Sequence, residues 1–268
     1  MSTSSSQQPG QNRGTPIVLI AAVVGVIVVV VAAGLFMAFG GNGDDDGGGD
    51  QAAVGAGAPA EEVAEQFGSP TTDAHGRQVM VPINGVGFPL PQNAAASKGF
   101  DDPGAFTTPP AGMMWQQTGQ VVTPFSTSDG PTRMDGTVPR GFAHTPGGAA
   151  LAAATYTWRI MEGQLAAEMV EKAVDPDTEG YAEIKSAAGA MGPNDSPGKN
   201  LPRPSAFKVE SDTCTPERCE PTATVKQLDD STVTIPLMAV EWKDGDWVGT
   251  YTPDGEQVDG QAPGMTQW

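Results

Sequence analysis

Cys214 and Cys219 are the only two thiols of the chain, and the four residues Thr-Pro-Glu-Arg separate them. Positions facing each other across a tight hairpin fall within the Cα separation that a disulfide accepts, and such bonds persist outside the cytoplasm. The rival chemistries are poorly served, because C-x4-C lacks two further ligands for a structural zinc and is not the C-x-x-C spacing of redox proteins. His75 lies in Gly/Pro-rich sequence, and His144 immediately precedes a helix-capping threonine. Neither has a neighbouring carboxylate or nucleophile that would orient it as a base. Ser126 and Ser128, in FSTSDG, suit turn positions better than nucleophilic ones, and neither G-x-S-x-G nor S-x-x-K occurs. DPDTEG sets Asp175, Asp177 and Glu179 ahead of Gly180 in the manner of a calcium loop. Ser186, however, stands where the bidentate glutamate belongs, and Pro176 interrupts the loop. The expectation is therefore one disulfide, Cys214 to Cys219, with no catalytic residue, no cofactor and no metal site.

What must position these residues begins with a membrane. Residues 17–39, IVLIAAVVGVIVVVVAAGLFMAF, carry no charge and no polar side chain. As a helix this run reaches about 35 Å, enough to cross a hydrocarbon core about 30 Å thick. Its length exceeds the apolar region of a cleaved signal peptide, and no small-x-small site follows beside a polar flank, so it reads as an uncleaved signal anchor. Arg13 precedes the run, whereas Asp44, Asp45, Asp46 and Asp50 follow it and no Lys or Arg comes before Arg77. The positive-inside preference puts residues 1–16 in the cytoplasm and the C-terminal bulk outside the cell membrane, a single-pass topology. Membrane lipid is then one partner, through residues 17–39.

The net charge of −18 excludes most nucleic-acid readings. A duplex-binding surface needs clustered Lys and Arg to displace counterions, and no such cluster exists in this sequence, so no direct nucleic-acid binding is expected. Residues 40–111 are rich in Gly, Pro, Ala and Asp; their first part, GGNGDDDGGGDQAAVGAGAPAEEVAEQ, has almost nothing to bury. Such composition cannot offset the entropy of ordering, which predicts a flexible linker over 40–111. VMVPI within it and GMMW directly after it are apolar pieces able to dock on a folded unit as strands.

A folded α+β domain is expected over 112–252, followed by a C-terminal tail at 253–268. Thr145 can cap a helix whose first position is Pro146. Leu151, Ala154, Trp158, Met161, Leu165 and Met169 recur at spacings of three and four, the signature of one apolar helical face. Gly163 breaks that run, and EGYAEIKSAAGAM offers a further helix over about 178–190. AFKVES, TATVKQL, TVTIPLMAVEW and DWVGTYT then read as four antiparallel strands in meander order. Asp244-Gly245 is a favoured type I′ turn, which would set Trp242 opposite Trp247 and Lys243 opposite Asp246. Pro236 cannot donate to a ladder and predicts a bulge or an edge there.

The succession of a helix opening in GFAHTPGGAALAA and a sheet ending in VEWKDGDW resembles the cone-shaped α+β fold of nuclear transport factor two, SnoaL-like proteins and type IV secretion bridge proteins. With TPFSTSDGP, these motifs also resemble an uncharacterised family of actinobacterial membrane proteins with one N-terminal anchor, some of which accompany conjugative elements. The resemblance covers roughly residues 112–252. It implies helices packed on a curved four-stranded sheet, and envelope or membrane protein partners, including copies of the chain itself. The function it implies is that of a membrane-anchored extracytoplasmic structural or interaction protein, an accessory of a conjugation, secretion or cell-envelope assembly. A binding module for a lipid or cell-wall ligand is the alternative, and a cone-fold hydrolase or isomerase a third.

Overall fold

A computed structural model describes residues 65–163, 165–190, 201–250 and 257–268. The expected cytoplasmic tail, membrane anchor and the linker as far as residue 64 lie outside the described residues. Among the described residues no helix is long and apolar enough to cross a membrane.

The centre of the domain is helix α1, Pro146–Ile160. Thr145 is its N-cap: extended backbone places the hydroxyl to accept from the Gly148 amide at 2.8 Å, and Pro146 fills the first turn as its sequence predicts. The expectation of one apolar face is too narrow. Every residue of α1 except Ile160 is buried, because the Gly/Ala-rich run Gly147–Ala154 lets neighbours close on all sides. A helix apolar all round belongs in an interior, and α1 is enclosed by strands in front and behind. A Cβ on Gly148 would lie 2.0 Å from the Ala143 carbonyl oxygen, so only glycine permits this entry into the helix. Gly163, at φ +92°, ends the run as expected. Helix α2, Ala166–Ala173, buries Ala166, Met169, Val170 and Ala173, and helix α3, Tyr181–Ala190, packs on it through Ile184 and Ala188.

Ahead of α1 come six short strands: β1 Thr71–Thr72, β2 Gln78–Val79, β3 Met114–Thr118, β4 Val121–Phe125, β5 Arg133–Asp135 and β6 Val138–Arg140, paired as three antiparallel hairpins. Residues 65–111 correct the linker expectation. Phe67, Val79, Leu90 and Ala105 are buried, Phe67 meets Phe88 edge-on, and the Met80 amide donates to the Trp115 carbonyl. The Gly and Pro content that suggests an entropic spacer builds turns instead, with Gly76, Gly85 and Gly87 at positive φ.

After α3 the four expected strands all form, as β7 Pro204–Lys208, β9 Thr222–Lys226, β11 Ala239–Lys243 and β12 Asp246–Thr250, but the third run splits and the meander breaks. Its first part is β10, Thr232–Pro236, which pairs with β9; its second part, β11, pairs with β12 and with a two-residue strand β8, Arg218–Cys219. Pro236 marks the parting. It ends the β9–β10 ladder, after which the Leu237 amide donates to the Pro221 carbonyl and the Met238 amide to the Thr157 hydroxyl. The single four-stranded sheet of the sequence reading is therefore two sheets. The expected tail is also corrected: β13 Val258–Asp259 and β14 Thr266–Gln267 close the first sheet at both edges, in the order β13-β10-β9-β7-β14. The second has the order β12-β11-β8. The β11–β12 turn matches its prediction, with Asp244 and Gly245 at positive φ, Trp242 opposite Trp247 and Lys243 opposite Asp246.

Candidate functional site

His144 sits where three remote segments meet. Its ring stacks on Trp242, with centroids 4.1 Å apart and planes 14° from parallel, while Phe100 approaches edge-on at 5.7 Å. Trp247 lies beneath, in T-shaped contact with Trp242 at 5.2 Å, and its indole N–H donates to the Ala143 carbonyl at 2.8 Å. The histidine Nε2 is 2.6 Å from the Pro216 carbonyl oxygen. A carbonyl only accepts, so Nε2 carries a proton. His144 is exposed, and Trp242 and Phe100 are half-buried, so the corner presents aromatic surface to solvent.

The loop that supplies Pro216 is closed by the Cys214–Cys219 disulfide. Both cysteines are buried, whereas Thr215, Pro216 and Glu217 between them are exposed. The Glu217 carbonyl accepts from the Trp242 amide at 2.8 Å, so the disulfide loop holds both partners of the stacked pair. Closing a loop this short contributes about 2 kcal/mol in the chain-entropy picture. Reduction is accordingly expected to speed amide exchange at Thr215–Arg218 and Trp242 while leaving the cooperative melt of the α1 core in place; a melt that collapses wholly on reduction would contradict this.

Ser126 and Ser128 lie elsewhere, in a buried nest at the start of α1. Ser126 Oγ donates to the Ala111 carbonyl at 2.7 Å and accepts from the amides of Ser128 and Asp129. The Asp129 carboxylate accepts from Ser97 Oγ at 2.9 Å, from Thr145 Oγ1 at 2.6 Å and from Ser128 Oγ. These hydroxyls therefore converge on one carboxylate that ties the 93–97 turn to the helix cap. His144 turns its ring away from them, toward Trp242 and Pro216. Beside the nest is a cavity of about 10 Å³ touching Lys98, Asp129 and Gly147, the space of about one water.

The remaining candidates are scattered. His75 Nε2 lies 2.9 Å from the Lys226 carbonyl, on the β1–β2 turn. Asp175 is ion-paired with Lys243 and accepts from the Asp177 amide, so the calcium-like loop has its leading carboxylate engaged. Among the described residues no three His, Cys, Asp or Glu side chains gather as a metal site would require.

Sequence reasoning missed two charged assemblies. Asp246, 2% exposed, accepts from the amides of Gly141, Phe142 and Trp247 and pairs with Arg133 at 3.0 Å and Arg140 at 3.2 Å. Arg140 also donates to the Tyr156 hydroxyl, whose own proton goes to the Trp247 carbonyl at 2.8 Å; burial pushes that phenol far above its ordinary range. No spacing signal foretold this, since Arg133 and Arg140 are more than a hundred residues from Asp246. The second assembly is at Asp73, which pairs with Arg77 at 2.7 Å and Arg203 at 3.2 Å, while Arg203 lies 4.9 Å over the Trp115 ring. It clamps the β1–β2 hairpin to the domain. Burial works to raise the Asp73 pKa, but the Arg77 amide and charge, the His75 amide and the Arg203 charge together hold it below its ordinary value. A carboxyl depressed on folding stabilises fully above its unfolded pKa, about 3.9, and that contribution disappears as pH falls through the folded value. Amide exchange at residues 71–80 is thus expected to accelerate below about pH 4 ahead of the core. Simultaneous loss of both regions would count against a separate clamp.

With this geometry in hand, one comparison is decisive. The family described as Domain of unknown function (DUF8175) matches residues 80–268. The chain belongs to that family. No curated protein and no solved structure matches it. The DUF8175 region takes in the His144 corner, the disulfide, the Asp129 nest and the Asp246 network, whereas Asp73 and Arg77 precede it. The family's matched segment thus begins in mid-fold, one residue after β2, with Met80 already bonded to β3.

Proposed function

We propose that this chain is a membrane-anchored extracytoplasmic interaction protein: residues 17–39 span the membrane, and the acidic DUF8175 domain is held outside as a contact module within an envelope assembly. The observation that carries the proposal is the uncharged apolar run at 17–39, long enough to span, followed by an acid-rich segment and then by a disulfide-bearing domain. A disulfide suits an oxidising compartment, and the polarity of charge around the run directs the C-terminal bulk to it. The candidate side chains support a role in contact more than in turnover. His144 has its Nε2 proton directed to a backbone carbonyl, Ser126 donates to another, and the Ser128 hydroxyl is bonded to Asp129. The His144–Trp242–Phe100 corner offers exposed aromatic area braced by a disulfide loop, the kind of rigid surface on which binding energy concentrates. The resemblance to bridge proteins of type IV secretion suggests envelope proteins, copies of this chain included, as the class of partner.

The test places a photo-crosslinking residue at Trp242 in cells and, as a control, at exposed Lys226 on the other sheet. Adducts with a defined membrane or envelope protein at Trp242 and none at Lys226 support the reading. A full-length chain that crosslinks to nothing and is extracted as a monomer with bound lipid or wall fragment would replace it by the binding-module alternative.

A further inference from the structure

The last twelve residues cross the outer face of the five-stranded sheet and pair with both of its edges. At one edge β13 lies on β10, with Val233 opposite Asp259 and Thr234 opposite Val258; at the other β14 lies on β7, with Phe207 opposite Thr266 and Ala206 opposite Gln267. Between them the chain passes over β9. The Thr234 hydroxyl donates to the Gly260 carbonyl and accepts from the Ala262 amide, and Gly264 lies against the stem of Lys208 on β7. Thr234, Thr224 and Ala206 face one another on β10, β9 and β7, all buried. Four strand spacings take up about 19 Å, and the seven steps from Asp259 to Thr266 reach about 24 Å at full extension. The crossing bends at Gly260 and turns at Pro263-Gly264, both glycines at positive φ, and has little length left for side-chain packing of its own.

Its attachments are correspondingly thin. Each terminal ladder is two residues long against five for β9–β10. Trp268 provides the apolar anchor by lying on Phe207, with centroids 4.4 Å apart, and edge-on to Trp115 at 5.9 Å. Even so, three buried polar atoms here, Thr224 Oγ1, Gln257 Oε1 and Trp268 Nε1, have no hydrogen-bond partner among the described residues. A core strand rarely leaves such groups unsatisfied.

We propose that residues 257–268 are a releasable strap, and that the partner fitted to the groove it covers is the same strap of a second copy of this chain. The sequence complementary to this face, to the β7 edge and to the Phe207–Trp115 slot is the chain's own C-terminal segment, and a reciprocal exchange restores every one of these contacts in both copies without requiring a new interface. An uncovered β7 edge would offer unpaired amides and carbonyls, which favour addition of a strand. The inference stands apart from the membrane reading, since it concerns only the described domain.

The test uses two full-length chains in detergent, one carrying Ala206→Cys with one tag, the other carrying Gln267→Cys with a second tag. They are mixed at high concentration, oxidised and resolved without reductant. Exchange of straps predicts a covalent heterodimer, formed several-fold faster when Trp268→Ala is added to both chains to weaken the anchor. Absence of the mixed product, while a chain carrying both cysteines closes on itself, would overturn the proposal. On the unmodified chain, a sedimentation coefficient that rises with concentration is expected, and one that stays monomeric throughout would likewise overturn it.

Discussion

Asp246→Ala is expected to destabilise the domain by about 3–5 kcal/mol, the cost of removing one partner from a buried charge network. The carboxylate accepts from three backbone amides, two of which begin the segment leading from β6 to α1, and it neutralises Arg140 deep in the fold. With alanine there, the Gly141 and Phe142 amides lose their acceptor and the Arg140 guanidinium, with a side chain only 12% exposed, is left without a counter-charge. Arg133 is more than half exposed and its pairing contributes little. Trp247, whose amide donates to the same carboxylate, packs edge-on against Trp242, so damage should spread to the His144 corner. Denaturation of wild type and variant would measure this directly. Asp246→Asn, which keeps an acceptor and loses the charge, is expected to recover part of the loss. A deficit under about 1 kcal/mol for the alanine variant would mean that water reaches the network and satisfies it.

Deleting residues 17–39 is expected to release the chain from the membrane completely. Fifteen of those positions are Val, Ile, Leu or Phe. At about 0.3 to 0.6 kcal/mol each on the insertion scale, they favour the bilayer by roughly 7 kcal/mol in sum. What remains is a chain with a net charge of −18, for which lipid offers nothing comparable. Fractionation would check this, with all of the wild type in the membrane pellet and all of the deleted chain in the supernatant. Continued sedimentation of the deleted chain with membranes would show that the domain itself binds lipid or a membrane protein strongly.

Much of the helical and hairpin structure was legible from local rules. Thr145-Pro146 marks a helix start because an acceptor side chain is useful, and a missing N–H is tolerated, only at that point. Asp244-Gly245 marks a hairpin because both residues must take positive φ, and the turn in turn fixed the pairing of Trp242 with Trp247. The Cys214–Cys219 bond was legible for the same reason: its two ends are neighbours in the chain. Where meaning depended on remote partners, the reading failed. Phe67, Val79 and Leu90 look too sparse in a Gly/Pro-rich stretch to fold, yet each is buried, and the segment is bonded to β3 through Met80. The strand TVTIPLMAVEW looks continuous, but Pro236 hands its second half to a different sheet. Lys243 and Asp246 face each other across the turn as their spacing implies, but Lys243 pairs with Asp175 and Asp246 turns inward to two arginines. In each case the local pattern was satisfied, and the deciding contact came from elsewhere in the fold.

The placement of the DUF8175 domain outside a membrane is the claim on which the functional reading rests. Fractionation of cells making the full-length chain, with Cys214 and Cys219 trapped by alkylation before lysis and with protease added to intact cells, tests it in one measurement. The account predicts a membrane-bound chain, both thiols unavailable to the alkylating reagent, and release by external protease of a resistant fragment that contains the domain. A soluble chain inside the cell, alkylated at both cysteines and untouched by protease, would contradict it.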